Sequence, residues 1–173
     1  MKKSVMAGAV LVLAMVAASA SAANNLNAGT VGLNVPVVVV NSATNADIRS
    51  PLIGGKYFVA KDMAVLGGFG FLSGGPSGNS TTTFSLLAGM RKYTKTDDFA
   101  PFVGGVFEYS STSSNPSSSN MAVSVEGGAE YFLARQFSIE GKVGFGYLST
   151  DAGGAKATYF GTTTANLSVN FYF

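Results

Sequence analysis

The chain has 173 residues, of which 47% are hydrophobic and only 12% charged, and its formal net charge is +2. It contains no His and no Cys. That excludes Ser–His and Cys–His nucleophile pairs, thiolate or imidazole metal centres, and a disulfide framework.

Residues 1–22 open with Lys2 and Lys3, continue as an apolar run from Val5 to Ala18 and end in Ala20-Ser21-Ala22. A basic start, an apolar centre and an A-x-A site together predict a Sec signal peptide cleaved after Ala22, leaving 23–173 as one domain. Without Lys2 and Lys3 the 11 basic residues fall level with the 9 acidic ones. The mature chain is then formally neutral, and its charge gives no reason to expect a nucleic-acid partner. Beyond Ala22 the longest apolar run is Val35 to Val40, far short of the roughly 18–20 residues of a spanning helix. Yet mean hydropathy is positive, at +0.31.

The pattern is period two almost throughout, the signature of strands with two different faces. Residues 24–40 form a first strand with Gly29, Val31, Leu33, Val35, Val37 and Val39 on one face; Pro36 suits a rim or a bulge. A polar loop follows over 41–50, then a strand over 51–59 with Lys56 opposite Tyr57, and a turn over 60–62. The third strand, 63–72, carries Val65, Gly67, Phe69 and Phe71 on one face and leads into a Gly/Ser loop over 73–82. The fourth, 83–93, sets Phe84, Leu86, Ala88 and Met90 against Ser85, Leu87, Gly89 and Arg91. After a charged turn over 94–98, the fifth strand, 99–109, places Phe99, Val103, Phe107 and Tyr109 opposite Glu108, and a Ser/Asn loop fills 110–120. The sixth, 121–133, sets Met121, Val123, Val125, Ala129, Tyr131 and Leu133 against Ser124, Glu126, Gly128 and Glu130. A turn over 134–136 leads to the seventh, 137–148, with Phe137, Ile139, Val143, Phe145 and Tyr147 against Ser138, Glu140, Lys142 and Gly144. A loop over 149–157 precedes the last strand, 158–173, whose apolar face runs Tyr159, Gly161, Thr163, Ala165, Leu167, Val169, Phe171, Phe173. Sixteen alternating residues exceed the usual 5–6 of a soluble strand and the roughly 9–11 needed to cross a bilayer.

A motif recurs at three strand ends. Gly54-Gly-Lys56-Tyr57-Phe58 precedes Met63 by the same spacing as Gly128-Ala-Glu130-Tyr131-Phe132 precedes Phe137; Gly89-Met-Arg91-Lys92-Tyr93 precedes Phe99 by one residue more. Connections alternate long and short, which predicts long loops at one end of the domain and tight turns at the other. Lys56, Arg91, Glu108, Glu126, Glu130, Glu140 and Lys142 all fall mid-strand on the face opposite the Val/Phe/Tyr face. If the apolar face meets lipid, these charges fill the interior and must pair, because an isolated buried charge is very costly. Eight strands enclose about enough room for side chains to fill, so a plugged interior is expected rather than an open pore.

With the signal peptide, eight alternating strands, the repeated hairpin motif and the terminal Asn170-Phe171-Tyr172-Phe173, residues 23–173 resemble the small eight-stranded bacterial outer-membrane β-barrel family. That family includes OmpX/Ail-like proteins and the OmpA transmembrane domain. The resemblance implies an all-β, eight-stranded antiparallel up-and-down transmembrane β-barrel in the outer membrane of a Gram-negative bacterium, with both termini periplasmic. It implies a C-terminal assembly signal at Leu167, Val169, Phe171 and Phe173, read by the outer-membrane barrel assembly machinery. It also implies contact with outer-membrane lipid and lipopolysaccharide. Tyr57, Phe99, Tyr131 and Phe137 would form a periplasmic aromatic belt. The expected role is structural or surface-interacting, as a monomer, without catalysis, cofactor or metal. One alternative is a narrow, porin-like channel for ions or small solutes. A second is a soluble periplasmic lipocalin-like barrel binding an apolar ligand, which requires the Val/Phe/Tyr face to point inward.

Overall fold

The computed structural model describes residues 26–40, 53–74 and 80–173. The signal segment 1–22, the loop 41–50 and the centre of the loop 73–82 lie outside the described residues. The fold is all-β: β1 (Val31–Val40), β2 (Ile53–Ala60), β3 (Met63–Gly74), β4 (Thr81–Tyr93), β5 (Phe99–Ser113), β6 (Ser118–Ala134), β7 (Phe137–Ala152) and β8 (Ala155–Tyr172). Each strand pairs antiparallel with its sequence neighbours, and β1 pairs with β8, so the sheet closes into one ring. At the seam Val31 and Phe173 exchange both backbone hydrogen bonds, at 3.2 and 2.9 Å. Closure leaves no sheet edge along the paired length, which is how backbone polar groups are satisfied without cross-links.

The alternation read from the sequence sorts into an outside and an inside. Val31, Leu33, Tyr57, Val65, Phe69, Leu86, Met90, Val103, Phe107, Val123, Val125, Val143 and Phe145 are all exposed on the outer face. Lys56, Arg91, Glu108, Glu126, Glu130 and Glu140 are buried, together with inward Ser, Thr and Asn. The apolar face therefore points outward and the polar face inward, the reverse of a water-soluble core.

Three expectations need correction. First, residues 26–30 are not strand. Gly29 has φ +92° and its N–H donates to the Phe58 carbonyl at 2.8 Å, which turns the chain and buries Leu26 at the end of the ring. Second, the loops over 110–120 and 149–157 are mostly strand. β5 and β6 stay paired out to Thr112↔Ser118, and β7 meets β8 at Ala152↔Ala155 across Gly153 (φ +60°) and Gly154 (φ +90°). Positive φ at both central residues is the two-residue hairpin geometry that follows strand twist. Third, the last strand is not one continuous alternation. The β7–β8 register shifts, so that Gly144 pairs with Thr164 but Phe145 with Thr162, and the consecutive Thr163 and Thr164 are both buried. A one-residue slip flips every later side chain. Before the bulge Phe160, not Tyr159, joins the outer aromatics, with its ring 4.8 Å from those of Phe145 and Tyr147. A similar shift in β1 between Pro36 and Val38 puts Pro36 at a bulge, where its missing N–H costs no ladder bond.

Candidate functional site: the ion-paired interior

The repeated motif builds the site. Its third and fifth positions are two apart, so both point inward while the fourth points out. The third positions supply Lys56, Arg91 and Glu130; the fifth supply Phe58, Tyr93 and Phe132. A fourth copy closes β8, with Asn170 and Tyr172 in the corresponding places. In all four the N–H of the inward aromatic is taken up by a carbonyl just before the adjacent strand. Phe58 donates to Thr30, Tyr93 to Asp62, Phe132 to Asp98 and Tyr172 to Gln136, at 2.7–3.0 Å. The four rings, with Phe102 and Leu26, form an apolar cap across the end of the ring that carries both described chain ends.

Directly above the cap lies the charged layer. Arg91 reaches Glu126 at 2.6 Å, Glu140 at 3.0 Å and Glu130 at 3.4 Å. Lys56 donates to Glu140 at 2.5 Å and to Glu130, and Lys142 to Glu126 at 2.8 Å. Glu130, fully buried, is the hub: it also accepts from Tyr93 Oη at 2.6 Å, from Tyr172 Oη and from Ser138 Oγ at 3.1 Å. Asn170 bridges Ser138 at 3.0 Å and Glu140 at 3.3 Å, and accepts from Asn34 at 2.6 Å. Six of the seven predicted interior charges thus meet in one network. Glu108, also buried, makes no direct ion pair or hydrogen bond among the described residues and feels the Lys142 ammonium only at longer range.

The sequence reading missed Tyr93, Tyr172, Ser138 and Asn170 as parts of this network. The signal was the repeat itself, since the residue two places after each inward charge shares its face.

The other predicted sets lie on the outside. Tyr57, Phe99 and Tyr131 are exposed, and the half-buried Phe137 packs its ring 5.2 Å from that of Phe171. Leu167, Phe171 and Phe173 are likewise exposed, with Val169 half-buried beside them. Outside the ring, the Asp62 carboxylate accepts a hydrogen bond from Lys92, and this holds its pKa below the usual Asp range.

Chemically the layer is closed. Its carboxylates are committed to cations and hydroxyls, and no group of three or more metal-ligating side chains occurs among the described residues. The partly open space against the layer, lined by Asn34, Lys56, Arg91, Glu140, Lys142 and Asn166 among others, is about 40 Å³, room for only a few waters. No protein-family model matches this chain, and no curated protein matches it.

Proposed function

We propose that this chain is an integral outer-membrane β-barrel of a Gram-negative envelope, with a structural or surface-interaction role and no catalysis. The observation that carries the reading is the outer face. Along β5, β7 and β8 it runs from aromatic through aliphatic to aromatic: Phe99, Val103, Tyr109 on β5; Phe137, Val143, Tyr147 on β7; Phe171, Leu167, Phe160 on β8. An aliphatic band between two aromatic girdles is the pattern of a barrel crossing a bilayer. Phe137 to Tyr147 covers about 33 Å along the strand, or about 25 Å along the axis at the usual tilt, the height of such a band.

In lipid every backbone polar group must be satisfied within the chain, and a ring-closed sheet does that. The short turns at 61–62 and 135–136 then face the periplasm, with both termini, as in barrels of this kind. Lipid, lipopolysaccharide and the assembly machinery are the corresponding partners.

A soluble lipocalin-like barrel would need the Val/Phe/Tyr face inward, and that face is outward. A conducting channel would need a path past the paired layer and through the aromatic cap. Each step along that path breaks buried ion pairs, and none of the interior geometry favours it.

The experiment is gel mobility of the mature protein from outer-membrane fractions, boiled against unboiled in detergent. A heat-dependent shift in membrane-derived protein is expected. Recovery in the soluble periplasmic fraction, with no shift, would overturn the reading.

A further inference from the structure

Asn166 lies inward on β8, 9% exposed, and its Oδ1 accepts no hydrogen bond among the described residues. Its register partner across the β7–β8 pair is Lys142. Both line the partly open space of about 40 Å³ against the charged layer.

Most donors around that space are committed. Lys56 gives its three N–H groups to Glu130, Glu140 and Tyr172. Arg91 uses Nε, Nη1 and Nη2 on glutamates. Asn34 spends its Nδ2 on Ser168 and Asn170. Lys142 differs. Among the described residues its Nζ bonds Glu126 alone, and an ammonium carries three donors. A spare donor and a spare acceptor therefore line one pocket from directly paired positions, whose side chains start about 5 Å apart. They do not bond each other.

Charge and size set what fits between them. In the layer Lys56, Arg91 and Lys142 are balanced by Glu126, Glu130 and Glu140. Glu108, the fourth interior carboxylate, is not among the residues lining the space. An added ion would unbalance a buried network, at a heavy desolvation cost. An anion could accept from Lys142 but could not donate to Asn166; a metal cation could meet Asn166 but would be repelled by Lys142. The fitting molecule is neutral, both accepts and donates, and is no larger than the space allows. Water meets all three conditions.

The pocket also has a side. Leu87 and Asn166 line it, and each lies four residues before Arg91 or Asn170 on a strand that runs toward the short-turn end. It therefore sits on the long-loop side of the layer, away from the aromatic cap. The Lys142 side chain is 11% exposed, against 2% for Lys56 and 1% for Arg91.

We propose that this space is a water-binding site, in which one ordered water accepts a hydrogen bond from Lys142 Nζ and donates one to Asn166 Oδ1. That water carries the network from Glu126 through Lys142 to a second point on β8. It also makes Lys142 the place where solvent meets the charged layer, from the long-loop end, while Lys56 and Arg91 stay dry. The site depends on the ring interior alone, so it stands or falls separately from what surrounds the outer face.

The test is a crystal structure of the folded mature chain, at a resolution that orders water, for the wild type and for Asn166→Leu. In the wild type a density peak is expected within hydrogen-bond distance of both Lys142 Nζ and Asn166 Oδ1. In Asn166→Leu that peak is lost while the Lys142–Glu126 pair is kept. A direct Lys142–Asn166 bond, no density between the two, or a peak that survives in Asn166→Leu overturns the site. So does an ion there, revealed by anomalous scattering after soaking in bromide or thallium(I). If Asn166→Leu does not fold, the wild-type density and the two soaks decide alone.

Discussion

The guanidinium carbon of Arg91 lies 3.6 Å from the centroid of the Phe102 ring. This one cation therefore ties the apolar cap to the charged layer, stacking on an aromatic while its fork holds three glutamates. Arg91→Ala leaves those carboxylates to Lys56 and Lys142. Breaking a buried network by removing one partner costs about 3–5 kcal/mol, and that loss is expected in urea unfolding of the reconstituted protein. Arg91→Lys should recover only part of it, because an ammonium cannot bridge three acceptors in a plane. Full recovery by lysine would mean that the fork geometry is immaterial.

Tyr93 and Tyr172 approach Glu130 on different oxygens, Oε1 and Oε2. Each donates to a buried charged acceptor, so Tyr93→Phe and Tyr172→Phe should each cost about 1.5–3 kcal/mol. The two effects should not add. Members of one network couple by at least about 0.5 kcal/mol, and a double-mutant cycle measures that directly. Additivity within error would show that Glu130 is not a shared hub.

Much of the ring was legible because β3 to β7 alternate through their central stretches, so each assignment of Val65, Met90, Val103, Val125 or Phe145 to the outer face follows from parity alone. Legibility ended where parity did. Bulges at Thr163 and Val37 change the count by one residue; Pro36 signals the second, and no residue type announces the first. The strand ends over 110–113 and 118–120 are polar on both faces, so they carry no alternation to read, yet their backbones pair as well as any others. The aromatic cap was hidden differently. Phe58, Tyr93, Phe132 and Tyr172 sit on the polar face, where an apolar residue looks like an exception until the motif is aligned four times.

Gly128 faces inward at the first position of its motif. A Cβ there would come 2.2 Å from the Gly141 carbonyl oxygen and 2.7 Å from Phe102 Cζ. Its neighbour Gly127 faces outward, with nothing within 4 Å of a Cβ. Gly128→Ala must displace backbone and is expected to cost about 1–3 kcal/mol, as other overpacked positions do. Gly127→Ala should fall within about 0.5 kcal/mol of wild type. The pair controls for each other in the same unfolding experiment; equal effects would mean that Phe102 does not pack against Gly128.

Asp62 and Lys92 form an exposed pair at the short-turn end. The hydrogen bond from Lys92 keeps the Asp62 pKa below its ordinary value of 3.8. A depressed folded pKa contributes stability that is present above the unfolded pKa and lost as pH falls through the folded one. The window is therefore strongly acidic, and the pair is inert near neutrality. An NMR titration should place the Asp62 carboxyl below the ordinary Asp value in wild type and return it there in Lys92→Gln. An unchanged midpoint in the variant would remove Lys92 as the cause.

Val125 separates two readings of the outer face. It is 69% exposed, on β6 between Met121 and Tyr131, within the aliphatic zone of that strand. If lipid surrounds this zone, Val125→Arg puts a charge near the bilayer midplane and should cost about 2–4 kcal/mol. The same change near the end of the strand, at Ser119, which shares the face of Val125, should cost little, since the penalty falls toward the interface. If water surrounds the ring, Val125→Arg is a surface substitution, within about 0.5 kcal/mol of wild type and indistinguishable from Ser119→Arg. Urea titration of refolding into lipid vesicles distinguishes the two. A depth-dependent penalty fits the membrane reading because both side chains leave the outer face of the same paired strand, so the surrounding medium is what chiefly differs between them.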